Sequence, residues 1–562
     1  DVQFVNGTAN YDFEGEKNEI EILGYQYNYA GAGVCMSVLV DTRTRHILGF
    51  HTTGTPDDKV GYSIVFPREF VAAILASEVE SPASFDNVSE VKVEVKPNSS
   101  VMEQQLAKIG VKPPVIKRLP PNQELRTSIN TNIRPSPMTG VLGEPKRFPA
   151  KLSDPDNDQR PGYAPLAEAV AKGFSDYAPF PQDFVDVAVD DLTSELLAKA
   201  KPMTLDPQLC RTNEQAVVGL NGTPFCEGLR LNTSPGWPLC VLKPGSNKTA
   251  FIETNEARTY VKFDPILARM VEKEEEERKK GIIPFSVYAD FGKDERLKPG
   301  KGMRLINGCP LSQTILWRKY CMDFFAAFQG AQLKVGSAIG LNPFGSGMQE
   351  MAQKLLAIGP NILTGDYKNF GPTVHPEVLA KLADVMDAWY RKFVPGTKEE
   401  HDMANRVRIT LVESIMNSYH VAGDLVYQTY QGSPSGNPYT APINTFCALI
   451  YLRVVWQDIF KNSPLQGLAV FHKNFAYICY GDDFVGSISS EFLPKFNNVT
   501  MSESFAKYKL VFTNPQKDGG MELACDIKKA SFLKCTFARH HSRDIYVAHL
   551  DMDVIKDIPN WY

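Results

Sequence analysis

Phe475-Ala476-Tyr477-Ile478-Cys479-Tyr480-Gly481-Asp482-Asp483-Phe484-Val485-Gly486-Ser487-Ile488 is the stretch on which the reading of this chain turns. Phe475 to Cys479 and Phe484 to Ile488 are too short for helices and mix aromatic with aliphatic residues, so each reads as a strand. The four residues between them, Tyr480-Gly481-Asp482-Asp483, then form a hairpin turn in which Gly481 can take a positive φ. The turn projects two adjacent carboxylates. Between buried strands such a pair repels itself unless a cation intervenes. An oxygen-preferring divalent ion, Mg²⁺ first, suits the position. Asp-Asp after Gly is also ordinary solvated turn chemistry, so the remainder of the chain has to decide.

The 562 residues are 43% apolar and 22% charged, a globular composition long enough for several domains. No run of about 18 apolar residues is present, which predicts no membrane-spanning helix, and no basic-then-apolar leader opens the chain. It begins with Asp rather than Met, which points to excision from a longer chain. The ten cysteines form no CxxC pair, which argues against a zinc site or disulfide framework and for a reducing compartment. A net charge of −5 does not advertise nucleic-acid binding; a local basic surface must supply any.

Outward from the hairpin, five other stretches carry chemistry. Leu231-Asn232-Thr233-Ser234-Pro235-Gly236-Trp237-Pro238 is an irregular loop whose hydroxyls, Gly236 and aromatic ring can line a single-strand path. Lys293 to Arg304 holds five cations in twelve residues (Lys293, Arg296, Lys298, Lys301, Arg304), a charge density suited to a triphosphate. Gly365-Asp366-Tyr367-Lys368-Asn369-Phe370 follows apolar Ile362-Leu363, so Asp366 sits at a strand end. An amphipathic helix then begins near Pro376, with Val378, Leu379, Leu382, Val385, Met386 and Trp389 on one face. Gly432-Ser433-Pro434-Ser435-Gly436 leads into a helix on which Thr440 and Asn444, four apart, share a face suited to reading a 2′-hydroxyl. Phe532-Leu533-Lys534-Cys535 is an amphipathic hairpin piece whose Lys534 can reach a primer phosphate. Each has a plainer alternative as turn, cap or basic surface.

Further expectations follow from local pattern. Tyr163 to Phe174 reads as a helix, Thr212 caps another, and Asp264-Pro265 to Lys280 is a helix closed by Gly281. Its Glu272–Lys280 charge block reads as a solvated face. Residues 81–114, rich in Ser, Pro, Glu and Lys, read as a linker.

In their order, TSPGWP, KDER…R, GDYKNF, GSPSG…T…N, YGDD and FLKC resemble motifs G, F, A, B, C and E of viral RNA-dependent RNA polymerases of the picornavirus-like group, with NFGP similar to insect iflaviruses and dicistroviruses. That resemblance spans roughly residues 115–562. It implies an α+β right-hand fold, with fingers in 115–360, palm with a second fingers insertion in 361–538, and the start of a thumb, apparently truncated, in 539–562. It implies Asp366, Asp482 and Asp483 as ligands of two Mg²⁺ or Mn²⁺ ions and as catalytic residues, with Lys517 near the place of a general acid. Nucleotide contacts would fall to Lys293, Arg296, Lys301, Arg304, Ser435, Thr440 and Asn444. Template or primer contacts would fall to Thr233, Ser234, Gly236 and Lys534. The implied partners are RNA template and primer, nucleoside triphosphates, a protein primer and replication-complex proteins in the host cytoplasm. Two positions depart from the family: Gly371 stands where a second motif-A Asp is usual, and Gly302 where a motif-F Lys is usual.

Gly31-Ala32-Gly33-Val34-Cys35 with Gly49-Phe50-His51-Thr52-Thr53-Gly54 resembles the C-terminal barrel of picornavirus-type chymotrypsin-like cysteine proteases. The resemblance implies Cys35 as nucleophile and His51 as a pocket residue in a fragment covering 1–80. It departs from the family at Met36, usually Gly, and no His precedes Cys35 to make its thiolate. The segment therefore reads as an inert protease remnant, closed by a helix at Phe66–Ile74. A reverse transcriptase, a non-catalytic RNA-binding module and a working protease are the competing readings.

Overall fold

The carboxylate hairpin forms as its pattern predicts. Strands Phe475–Tyr480 and Asp483–Ile488 pair antiparallel, and Gly481 at the bend has φ +61°. Strand Asn361–Tyr367 adds to the open side of Asp483–Ile488, and Phe512–Thr513 adds to that, giving a four-stranded antiparallel sheet. The computed structural model describes residues 2–13, 16–27, 38–40, 47–55, 60–64, 100–120, 123–255, 260–514 and 520–562.

Helix Met348–Leu356 packs on one face of this sheet and Thr440–Ile459 on the other, and Pro376–Phe393 packs in turn on Thr440–Ile459, because their apolar residues recur at helical spacing. In Pro376–Phe393 the predicted stripe Val378, Leu379, Leu382, Val385, Met386 and Trp389 is buried throughout. At about 1.5–3 kcal/mol for each large side chain, that face alone outweighs any single polar contact in the region. Helix Thr440–Ile459 is buried on nearly every side and packs on Gln182–Lys199, Pro376–Phe393 and strand Phe475–Tyr480. Its Thr445 Oγ1 accepts a 2.7 Å bond from the Gly481 amide, tying the helix to the acidic turn. Thr212 caps Asn213–Val218 with a reciprocal capping box to Gln215, and Asp264 caps Pro265–Lys279, as expected.

A second sheet of five strands runs in the order Leu305–Gly308, Val287–Gly292, Tyr419–Ala422, Leu425–Gln428, Val115–Arg118. Its Val287–Gly292 and Tyr419–Ala422 strands are parallel and far apart in sequence, and the others are antiparallel. Near the C-terminus, Ser531–Phe532, Cys535–Arg539 and Tyr546–Leu550 form a three-stranded sheet. The last residues then return to an earlier segment: Arg134 and Tyr562 exchange backbone bonds of 2.9 and 3.0 Å. Asn560 accepts from the Gly140 amide at 2.8 Å.

Two expectations need correction. The stretch read as linker contains a helix, Val101–Lys108, capped by Ser100. Polar composition hid Met102 and Leu106, one turn apart and fully buried, and Asp424 accepts from the Val101 and Met102 amides at 2.8 and 3.1 Å. The Glu272–Lys280 block is not simply a solvated face. Glu274 and Arg278 follow Leu267 and Val271 on the inner face. Arg278 donates to the Thr410 carbonyl at 2.8 Å and to Ser414 Oγ at 3.0 Å, and Glu274 accepts from Ser312.

The chain forms two compact units, Asp1–Glu94 and Val95–Tyr562. The first holds a five-stranded antiparallel sheet in the order Val2–Phe13, Glu16–Tyr27, Val60–Ile64, Ile47–Thr55, Val38–Val40. The hairpin read around residues 38–51 is thus present as paired strands. Cys35 and the Phe66–Ile74 helix lie outside the described residues, and His51 is described only as part of its strand.

Candidate active site

Strand register brings the separated acids together. Asp366 pairs with Asp483 across the central strands, at the end of the sheet where Tyr480 and Asp483 flank the turn bearing Asp482. Asp482 is exposed and Asp483 partly buried. Burial, then the neighbouring charges of Asp482 and Asp366, push the Asp483 carboxyl up to about 6, and Lys534 opposes this. Lys534 reaches this position from a tight turn in which Leu533 and Lys534 take φ of 52° and 61°.

This concentration of negative charge fits a divalent cation, which would offset both the burial and the neighbouring charges that hold Asp483 high. Among the described residues no three His, Cys, Asp or Glu side chains stand close enough to cage an ion on their own.

Arg304 brings the cationic loop within electrostatic range of the acidic turn. Arg304 lies near enough to Asp482 that the carboxylate helps raise its pKa, after the larger effect of its hydrogen bonds to Glu295. Lys293 Nζ lies 3.4 Å from the same Glu295. Burial would raise the Glu295 carboxyl, but Arg304 and then Lys293 hold it below its ordinary value. Arg296 points elsewhere: it donates to the Asp557 carbonyl at 3.3 Å. The Lys301 amide closes a turn on the Lys298 carbonyl, and its side chain is exposed.

The two glycine-bearing loops meet on one segment, Asn307 to Pro310. A Cβ on Gly436 would lie 1.8 Å from the Asn307 carbonyl oxygen, and one on Gly236 2.4 Å from that of Cys309. Only glycine allows both approaches. Ser435 and Asn307 exchange hydrogen bonds at 3.0 and 3.1 Å. Thr440 Oγ1 donates to the Asn437 carbonyl at 2.8 Å. Asn444, one turn on, has a buried side-chain oxygen with no hydrogen-bond partner among the described residues, the kind of orphan acceptor a ribose hydroxyl would satisfy. Thr233 and Ser234 are held by Lys248, whose ammonium donates to Thr233 Oγ1 and, at 2.8 Å, to the Ser234 carbonyl. Burial pulls the Lys248 pKa down to about 8.

The structure therefore pairs Asp366 with Asp483 beside Asp482, with Lys534 in electrostatic range of Asp483 and Arg304 of Asp482, and it carries Asn444 next to the Gly481 turn. It gives Arg296 a partner near the C-terminus instead. Lys517 lies outside the described residues. The sequence reading missed Asn307, Thr445 and Lys248. Thr445 follows Asn444 on a helix already singled out, and that proximity was the one available signal.

Comparison with known proteins defines the class. The family model described as viral RNA-dependent RNA polymerase matches residues 186–562, and the chain belongs to that family. The genome polyprotein of Deformed wing virus is 30% identical over 555 residues, covering 96% of this chain and 18% of that protein. The genome polyprotein of Ectropis obliqua picorna-like virus is 30% identical over 564 residues, covering 99% and 17%. The replicase polyprotein of Cricket paralysis virus is 26% identical over 581 residues, covering 99% and 32%. The chain thus spans under a third of the length of these relatives. Among solved structures, the Sicinivirus 3Dpol RNA-dependent RNA polymerase has the same fold, with a TM-score of 0.63 at 19% identity over 80% of this chain and 87% of the other.

Proposed function

We propose that this chain copies RNA by template-directed nucleotidyl transfer at the end of the four-stranded sheet. The observation that carries the reading is the pairing of Asp366 with Asp483 beside Asp482, residues over a hundred positions apart brought to one sheet end. Asp366, Asp482 and Asp483 would hold divalent cations, Mg²⁺ or Mn²⁺. When bound, the metal supplies activation of the primer 3′-hydroxyl and charge neutralisation at the departing pyrophosphate.

The chain's own groups do the rest. Arg304 and Lys293 neutralise and orient the triphosphate, exchanging part of their pairing with Glu295 for phosphate oxygens. Ser435, Thr440 and the Asn444 oxygen select the ribose. Lys534 stands against the primer end and screens Asp483. Thr233, Ser234 and Gly236 line the template path, with Lys248 fixing that loop. Lys517 is the general-acid candidate, and Lys301 a further phosphate contact. In this reading 115–360 are fingers, 361–538 palm and 539–562 the beginning of a thumb. Residues 1–80 are a protease-derived fragment supported by the strand pairing around 38–55. A protein primer, replication-complex partners and a cytoplasmic site in the host cell belong to the same proposal.

Primer extension on an RNA template with Mg²⁺ or Mn²⁺ tests it, with ribo- and deoxyribonucleotides compared. Incorporation of ribonucleotides, lost in Asp482→Asn, is the expected result. Preferred use of deoxyribonucleotides would make it a reverse transcriptase. RNA binding without any extension would leave a non-catalytic module.

A further inference from the structure

We infer that Asn307 is a positioning residue for nucleotide selection: it relays a fixed hydrogen-bond direction from a buried acid in the five-stranded sheet to the Ser435 loop. The inference rests on the function proposed for that loop.

The relay starts at Asp290, fully buried on strand Val287–Gly292. Its Oδ1 accepts from Asn307 Nδ2 at 2.6 Å and pairs with His420 Nδ1 at 3.0 Å, while Oδ2 accepts from the Tyr427 hydroxyl. Among the described residues, no Lys or Arg is hydrogen-bonded to it. His420 is in turn fixed through Nε2 to Ser418 Oγ at 2.8 Å, and Ser418 to Thr429 at 2.9 Å. A buried carboxylate accepts and does not donate, so the Asn307 amide group has one permitted orientation: its NH₂ faces Asp290. Its oxygen must then face the other way, where the Ser435 amide donates to it at 3.0 Å. An asparagine alone could turn either way; the buried acid removes that freedom.

The backbone completes the clamp. The Asn307 amide donates to Ser435 Oγ at 3.1 Å. Among the described residues, the Ser435 proton has only long acceptors, Asn307 Oδ1 at 3.3 Å and the Leu305 carbonyl at 3.5 Å. The hydroxyl is thus held in place while its own proton can be redirected to a ligand. Gly436 against the Asn307 carbonyl keeps the loop from sliding along the strand. Asn307 lies on the strand that follows Arg304, so one short strand positions both the triphosphate contact and the ribose contact.

Asn307→Ala should raise the KM for nucleotide about tenfold with kcat little changed, leaving the RNA dissociation constant as in the wild type and lowering the melting temperature by less than Asp290→Ala does. Exchange of the Ser435 amide should accelerate, a readout independent of catalysis. Asn307→Asp, which sets a carboxylate against Asp290, should be at least as impaired. Pairing it with Asp290→Asn reverses the direction of the shared bond and should recover several-fold of the loss. An unchanged KM and unchanged Ser435 exchange in Asn307→Ala overturns the inference. So does a loss of RNA affinity as large as the loss of nucleotide affinity, or a double variant no better than Asn307→Asp. If the wild type fails to extend a primer, the proposed function falls, and Ser435 exchange still decides the role of Asn307.

Discussion

Asp290 and Asp483 are both carboxylates set in sheets, and their surroundings are opposite in kind. Asp290 is fully buried and surrounded by donors from Asn307, His420 and Tyr427. Asp483 is less buried but faced by two further carboxylates, with Lys534 as the opposing charge. Burial acts on both acids, and their neighbours differ. Partners decide: the saturated acid is a fixed reference point, and the crowded one is left to be completed by something from solution.

The contrast can be broken most sharply at the acidic turn. Asp482→Asn or Asp366→Asn should lower nucleotide incorporation by about a thousandfold or more while circular dichroism and melting stay near wild type. Near-normal extension would remove the metal role of that residue. At the other acid the effect should fall on folding. Asp290→Ala leaves the donors of Asn307, His420 and Tyr427 buried without an acceptor, and denaturant titration should register a loss of about 3 kcal/mol.

Replacing Asp483 should do the reverse of replacing Asp290. Its folded value near 6 lies above the ordinary 3.8, so the folded protein binds this proton more tightly than the unfolded chain does. That stabilisation is full below about pH 4 and is lost as pH rises through about 6. At pH 7.5 the metal-free protein carries the whole repulsion. Asp483→Asn should then raise stability by about 1–2 kcal/mol in chelator, with the gain vanishing near pH 4. A destabilised Asp483→Asn at pH 7.5 would refute the repulsion. The smallest effect belongs to Lys534: Lys534→Met should weaken primer–template binding about two- to fivefold and lower its salt dependence by about one charge.

Periodic and punctuated features were legible in sequence. The Phe475–Ile488 hairpin, the stripe from Val378 to Trp389, the Thr212 cap and the strand-end place of Asp366 each follow from residues a few positions apart. What escaped was made of long-range polar pairing. Asp290 meets His420 and Tyr427 across 130 and 137 positions, and Asn307 meets Ser435 across 128; no local period announces such partners. The Leu533-Lys534 turn was legible as a hairpin but not as one with two non-glycine residues at positive φ, because the usual Asn-Gly signal is missing. The Arg278 burial failed for a related reason. A charge block looks solvated until its i,i+4 register is laid on an apolar face.

The last residues of the chain have leverage beyond their size. Tyr562 is bonded to Arg134, Asn560 holds the segment around Gly140, and the Asp557 carbonyl receives Arg296. The strand Phe148–Pro149, just beyond that segment, pairs with Arg296–Leu297 at the root of the cationic loop. Residues 557–562 thus brace the root of the loop that carries Arg304, at a remove in sequence from the acids that Arg304 adjoins.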